Sequence, residues 1–272
     1  MSRNPLAVAE PWDLVADGYA EFAAAIMQPF AARALEFVSL APTAQIVDVA
    51  AGPGTLSLLA AEHVALVEAI DFSEPMIARL AKDAVAAGLS NIRAQVGDGQ
   101  NLPFESDRFD AGFSMFGLMF FPERAKGFAE LFRVLRPGGT AVVSSWAPVA
   151  DSPLMRMMFD ALAAADPSVQ EPQANFLSLE NPELFESEMR GAGFEAISIQ
   201  RHSIALSFAE PEELWETMVR SSAPLELMRQ SVGPEVWAER ATLMREFLTE
   251  RYRPHSPLST TAYLGIGHKP LR

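Results

Sequence analysis

The sequence contains no cysteine. That excludes disulfides, thiolate metal sites and a thiol nucleophile together. Positive charge is also scarce: 21 Lys and Arg stand against 35 Asp and Glu, a formal net charge of −14. The arginines are scattered (Arg124, Arg133, Arg136, Arg190 and Arg201 among them), and the densest run, Arg251-Tyr252-Arg253, is short. Gripping nucleic acid takes a basic stripe that neutralises phosphates, so no nucleic-acid partner is expected, and no anionic membrane surface either. No uncharged apolar run approaches the roughly 18 residues of a membrane-spanning helix. The stretch Met1 to Trp12 has no apolar core of a secretory signal, so a cytoplasmic location is the simplest expectation. Internal repeats and low-complexity tracts are absent as well. The four His are dispersed and the carboxylates form no compact cluster, so no metal site is expected.

What is present is apolar material, 49% of 272 residues, ample for a core at this length. The spacing of Trp12, Val15, Tyr19, Phe22 and Ile26 predicts helix over 12–40, with Pro29 dividing it. An alternating order then begins. Strands are predicted at Gln45–Val49, Leu66–Ile70, Ile92–Val96, Phe109–Met115 and Thr140–Trp146. Helices are predicted at Thr55–His63, with Thr55 near its cap, from Ser73 to Ala87 with Ser73 as cap and Gly88 as stop, and at Glu123–Leu135. After an inserted segment, Asn181-Pro182 opens a helix ending near Gly191, Ala196–Phe208 reads as a sixth strand, 211–250 as helix, and Thr261–His268 as a last strand. Strand alternating with helix predicts an α/β fold built on a mostly parallel sheet with right-handed crossovers. One domain over 1–272 is expected, with a helical cap at 1–40, a core at 41–148, and insertions at 149–180 and 209–258.

The strongest local signal is Val47-Asp48-Val49-Ala50-Ala51-Gly52-Pro53-Gly54-Thr55: a buried strand, a glycine turn, a helix start. Gly52 and Gly54 let the backbone approach a ligand closely, at the carboxyl end of a strand, where open α/β sheets bind ligands. An ordinary strand–helix turn, a dinucleotide site and an S-adenosylmethionine site all fit this segment. The dinucleotide fingerprint wants a third glycine where Ser57 stands. Asp71, closing the second strand, can accept bonds from both hydroxyls of a ribose. Asp98, in Gly97-Asp98-Gly99, can accept from the exocyclic amine of adenine, and also suits a tight turn.

With these motifs in order, the chain resembles the class I S-adenosylmethionine-dependent methyltransferases of the UbiE-like type (methyltransferase type 11 domain), over roughly residues 12–208. The matching segments are Ile46–Thr55, Glu68–Met76, Gln95–Pro103, Phe109–Pro122, and Leu131–Trp146 with its Leu135-Arg136-Pro137-Gly138-Gly139 turn. The resemblance implies a Rossmann-like seven-stranded sheet with helices on both faces, an antiparallel last strand and helical lid insertions. It implies S-adenosyl-L-methionine as cofactor. Asp48 and the turn Ala50, Ala51, Gly52 and Gly54 would then lie beside its methionine part, and Asp71 would hold the ribose. Phe72 and Met76 would pack near the adenine, with Asp98 on its amine and Gly97, Gly99 and Gln100 lining that pocket. Ser114 and Met115 would close over the methyl group, and Tyr19 would approach the amino-acid end or simply pack its helix. The family usually has Gly where this chain has Ala50, which implies a slightly altered turn.

Methyl transfer from a sulfonium needs alignment and exclusion of water, and a base only for some acceptors. Among the histidines, the family's sheet polarity puts His268 remote from the ligand side, while His63 ends a helix running away from it and His202 sits inside a strand. His255, ahead of the last strand, is the candidate base, with a solvated loop residue as the competing reading. Substrate walls are expected from the cap and the insertions, which hold Leu154, Met155, Met157, Met158, Phe159, Trp215, Met218, Leu225 and Met228. Most of these are expected to be core; Phe116, Met119 and Trp146 are the residues expected to face the acceptor. No NPPY-like sequence follows the fourth strand. Together with the acidic charge, this favours a small, largely apolar metabolite over a macromolecule, with O, N or C as the methylated atom. Competing readings are a non-catalytic S-adenosylmethionine-binding protein and, more distantly, a nicotinamide-dependent oxidoreductase. The sequence is compatible with a homodimer and does not require one.

Overall fold

The computed structural model describes residues 4–169 and 178–272; the end of the predicted 149–180 insertion lies largely outside them. The chain begins with two short helical pieces, α1 (Glu10–Asp13) and α2 (Ala16–Gly18), then a π-helical turn at Tyr19–Ala23 that runs into α3 (Ala24–Glu36). The core alternates β1 (Gln45–Val49), α4 (Thr55–Ala61), β2 (Leu66–Asp71), α5 (Glu74–Ala86), β3 (Ile92–Val96), β4 (Phe109–Ser114), α6 (Arg124–Val134) and β5 (Leu135–Trp146). The remainder is α7 (Pro153–Ala165), α8 (Pro182–Gly191), β6 (Glu195–Leu206), α9 (Pro211–Ser221), α10 (Ala223–Val232), α11 (Pro234–Arg251) and β7 (Leu258–His268).

The seven strands form one sheet in the order β3-β2-β1-β4-β5-β7-β6. The pairs from β3 to β5 are parallel, and β7 runs antiparallel to both β5 and β6. The expected Rossmann-like sheet with an antiparallel last strand is therefore what the chain builds. β1 is central and buried on both faces, so it reads as a nearly continuous apolar run; Asp48 is its exception. On one face Ile46, Val67, Phe113 and Leu264 pack with Phe30, Ala34, Leu56 and Ala60 of α3 and α4. On the other, Val47, Val49, Ile70 and Val143 pack with Phe128, Leu131, Phe185 and Met189 of α6 and α8. The strand order reverses between β2-β1 and β4-β5, and the crevice above that switch point is where such sheets take ligands.

Several expectations need correction. Pro29 is exposed and lies inside α3, which continues through it. The interruption falls upstream, at the π-helical turn. The helix α4 does start at Thr55, next to its N-cap Gly54 at φ 89°, but ends at Ala61, two residues short of the expected His63. The β5 strand starts at Leu135, directly after α6, and its Pro137-Gly138-Gly139 turn is a bulge where the register with β4 shifts between Phe109 and Ala111. Ser73 does cap α5, accepting from the Met76 N–H at 3.3 Å.

The lid helices have a core of their own. Leu154, Trp215, Met218 and Leu225 pack with Leu214, Met244 and Leu248, and Tyr252 locks this cluster to the sheet. Its hydroxyl accepts from the Phe208 N–H at 2.8 Å and lies 3.0 Å from both the Phe208 and Ser256 carbonyls. Among the described residues no helix is long and apolar enough to cross a membrane.

Candidate active site

The site is built where β1, β2, β3 and β4 end. After Val49 the chain turns sharply: Ala50 and Gly52 adopt φ 57° and 55°, and the Ala51 N–H donates to the Ile70 carbonyl at 3.1 Å. This left-handed Ala50 is the position at which the resembled family usually has Gly, and positive φ is what glycine tolerates without cost. Space for the Ala50 methyl comes from across the cleft. A Cβ on Gly117 would lie 2.3 Å from the Ala50 Cβ, so Gly117 stays bare. Gly54 faces away from the cleft: a Cβ there would sit 2.1 Å from Leu80 Cδ1, so its role is the close packing of α4 against α5.

Asp71, at the end of β2, ties two turns together. One carboxylate oxygen accepts from the Gly52 N–H at 2.8 Å and the other from the Ser73 N–H at 2.9 Å. A carboxylate has about four acceptor positions, so capacity remains on the side facing the cleft. Asp98 is more exposed; its Oδ1 accepts from the Gln100 N–H at 2.8 Å, and Gln100 Oε1 accepts from the Glu123 N–H at 2.9 Å. Gly99 is pressed between Phe121 and Val49, where a Cβ would be 2.5 Å from one and 2.7 Å from the other.

These residues enclose a cleft with two adjoining lobes. The outer lobe, about 720 Å³ with its mouth included, is lined by Asp71, Phe72, Met76, Gly97, Asp98, Gly99 and Gln100. The inner lobe, about 390 Å³ with its opening included, is lined by Asp48, Ala51, Thr55, Leu56, Met27 and Ala31. Tyr19, Ala50, Gly52, Met115 and Phe116 line both and mark the junction.

Not every expected residue is here. Ser114 lies beneath the wall, fully buried, accepting from the Leu118 N–H at 3.1 Å. Met119 packs between the two main core clusters with the Ser145 hydroxyl 3.4 Å from its sulfur. Trp146 stands behind Phe116, stacked on it at 4.2 Å. None of these three lines either lobe. The expectation for His255 is corrected: it is exposed, sits in a turn at φ 60° and donates its N–H to the Phe208 carbonyl. The reason is strand length. β7 pairs with β6 as far as Leu258, four residues beyond Ala262, which faces the end of β5, and that overhang carries His255 away. His268, at the other end of β7, is 3.0 Å from Thr140 Oγ1, remote as expected. None of the nine lid residues named from the sequence lines either lobe; Leu154, Met157, Met158, Trp215, Met218 and Leu225 pack in the lid's own core, as expected of most of them.

The cap was among the pieces expected to wall the pocket, but the residues of its roof were not named as such from the sequence. Leu6, Ala7 and Trp12 cover the outer lobe together with Phe120 and Phe121. The Trp12 indole N–H donates to the Leu6 carbonyl at 3.0 Å, and its ring lies 5.4 Å from Phe120. The signal was the apolar run after β4, which continues through Phe121.

Burial dominates the electrostatics. It lifts the Asp48 carboxyl to about 7; the bond from the Ser57 hydroxyl at 2.7 Å pulls the other way, and the Asp71 charge adds to the rise. Burial lifts Asp71 to about 6, opposed by its bonds from Ser73 and Gly52. Burial, and then Asp71, raise Tyr19 well above the usual phenol value. For Asp48 the sign follows directly. Between about pH 4 and 7 the native chain holds a proton that the unfolded chain has lost, so stability falls as pH rises through that window. The stability of the ligand-free chain at pH 5 relative to pH 8, from urea titration, is expected to shrink in Asp48→Asn. An unchanged difference would remove Asp48 from this role. Among the described residues no group of three or more His, Asp or Glu is placed to hold a metal.

Residues 46–139 match the family model described as a methyltransferase domain. An uncharacterized protein of Mycobacterium tuberculosis is 38% identical over 128 residues, 47% of this chain and 46% of that protein. The chain thus spans about half the length of that relative. A demethylmenaquinone methyltransferase of Clavibacter sepedonicus is 36% identical over 179 residues, 58% of this chain and 69% of that enzyme. Among solved structures, the YcgJ protein of Bacillus subtilis superposes with a TM-score of 0.56 at 17% identity, covering 88% of this chain and 97% of that one; this likeness concerns the fold. The chain belongs to the class I S-adenosylmethionine-dependent methyltransferase family.

Proposed function

We propose that the chain transfers a methyl group from S-adenosylmethionine to a small, largely apolar acceptor. The observation that carries this is the two-lobed cleft, with one buried carboxylate at each lobe and a small-residue turn at their junction. When bound, the cofactor supplies a methyl group on a sulfonium, which passes in line to the acceptor's nucleophile. In the outer lobe Asp71 accepts from the ribose hydroxyls and Asp98 from the adenine amine, with Phe72 and Met76 against the base. In the inner lobe Asp48 faces the cofactor's ammonium, a pairing that favours its ionised form. Tyr19, Met115 and Phe116 bound the place where the two halves meet.

The chain's own contribution is alignment and exclusion of water. Tyr19 stays protonated at neutral pH, and Asp48 is committed to Ser57 and the ammonium, so neither serves as an acceptor base. The acceptor therefore brings its own nucleophile, as an ionised phenol, an electron-rich ring carbon or a neutral amine does. The Clavibacter sepedonicus relative is named for methylating demethylmenaquinone, which makes a quinol-type ring the first acceptor to try. The test is transfer from radiolabelled donor to a panel of phenols, quinols and apolar amines. Label in an apolar product supports the reading. Donor binding with no transfer across the panel favours a non-catalytic binding protein instead.

A further inference from the structure

The wall between the lobes is strained, and its support comes from a neighbouring strand. Phe116, two residues past the end of β4, adopts φ 59°, a region disfavoured for any side chain. It is buried, and its backbone N–H donates to the hydroxyl of Ser144 on β5 at 2.9 Å. Ser144 is itself fully buried. Two residues further along β5, Trp146 stacks on the Phe116 ring at 4.2 Å and 29°, and Phe30 meets that ring edge-on at 5.4 Å. One strand thus holds both the backbone and the ring of Phe116. The next residue has no freedom to compensate, because Gly117 lies against Ala50, and the Leu118 N–H is held by Ser114.

We infer that Ser144 is a positioning residue: its hydroxyl fixes the strained Phe116 turn, so that the ring presents one set face at the junction of the lobes. This rests on the proposed reading of the cleft, in which the sulfur of the cofactor lies at that junction. Ser144 touches no ligand and acts through Phe116. Replacing it by Ala leaves a buried N–H without a partner, and relief comes by turning the Phe116 peptide, which moves the ring.

The test uses S-adenosylhomocysteine, which spans both lobes, and adenosine, which reaches only the outer one. Ser144→Ala is expected to weaken S-adenosylhomocysteine, by calorimetry, about five- to tenfold. The competition constant of adenosine should stay within about twofold, the scatter expected of uncoupled sites. In a Phe116→Ala background, Ser144→Ala should change S-adenosylhomocysteine affinity by less than about twofold, because the ring through which Ser144 acts is already gone. Full additivity, or an unchanged affinity in a folded Ser144→Ala chain, overturns the assignment. If Ser144→Ala does not fold, Ser144→Cys, nearly isosteric and a weaker acceptor, is put through the same comparison with the same outcomes. No binding of S-adenosylhomocysteine by the unsubstituted chain refutes the functional reading itself; binding there with an unaffected variant refutes only Ser144.

Discussion

Asp71→Ala is expected to weaken S-adenosylhomocysteine binding by about 1–3 kcal/mol, roughly 5- to 150-fold. The carboxylate has two tasks at once. It fastens the glycine turn through Gly52 and the start of α5 through Ser73, and it offers its remaining acceptor positions to the ribose. Alanine removes the charge-assisted partner of the ribose hydroxyls and frees the Gly52 N–H from its anchor. Asp71→Asn should recover only part, since its amide oxygen can accept from one of the two N–H groups while its NH2 can accept from neither and carries no charge. Calorimetry on both variants, with melting curves to establish that they are folded, checks this. An unchanged dissociation constant in Asp71→Ala would take Asp71 out of the ribose role.

Lys269→Met should cost the fold about 2–3 kcal/mol, the loss of several charge-assisted bonds offset by retained apolar contact. Lys269 follows β7, and its ammonium reaches back to the end of α6. There it donates to the carbonyls of Phe132 at 3.0 Å, Arg133 at 3.3 Å and Leu135 at 2.8 Å, and pairs with Asp107 at 2.7 Å. The last carbonyls of a helix lack partners and carry the negative end of its dipole. A cation arriving from a distant strand satisfies both, and ties the sheet's antiparallel strand to α6 and to the β5 bulge. Its side chain is largely buried, so solvent screening takes away little. Urea unfolding of the two chains measures the difference; a loss below about 0.5 kcal/mol, the range of ordinary surface substitutions, would mean that the carbonyls find water instead.

What could be read from the sequence was what is written locally. β1 has the bounds its apolar run predicts, because a central parallel strand buried on both faces is apolar nearly throughout; β3, at the edge of the sheet and only partly buried, also has its predicted bounds. Ser73 caps α5 as its side chain and spacing imply, and Asp71, Asp98 and the Gly52 turn meet in one cleft because they end adjacent strands. What could not be read depends on distant partners. Whether Pro29 breaks a helix depends on the turn ahead of it and on which way the proline faces. Met218 and Trp215 look like pocket residues until α7 and α11 supply a core for them. His255 was placed by strand polarity, but the overhang of β6 and β7 past β5 is a tertiary length that no local pattern encodes. Of the three residues expected to face the acceptor, Phe116 lines the cleft, while Trp146 lies one ring deeper and Met119 in the core. The positive φ of Ala50 shows why the resembled family favours glycine there, and Gly117 opposite shows how this chain accommodates the methyl.

The central claim is that the cleft above β1 to β4 takes the adenosyl and amino-acid halves of one ligand in its two lobes. Calorimetric titration of the full chain with S-adenosylhomocysteine and, separately, with NAD tests it most directly. The account predicts one saturable S-adenosylhomocysteine site per chain, weakened by Asp71→Ala, and no NAD binding. Saturable binding of NAD with none of S-adenosylhomocysteine would contradict it.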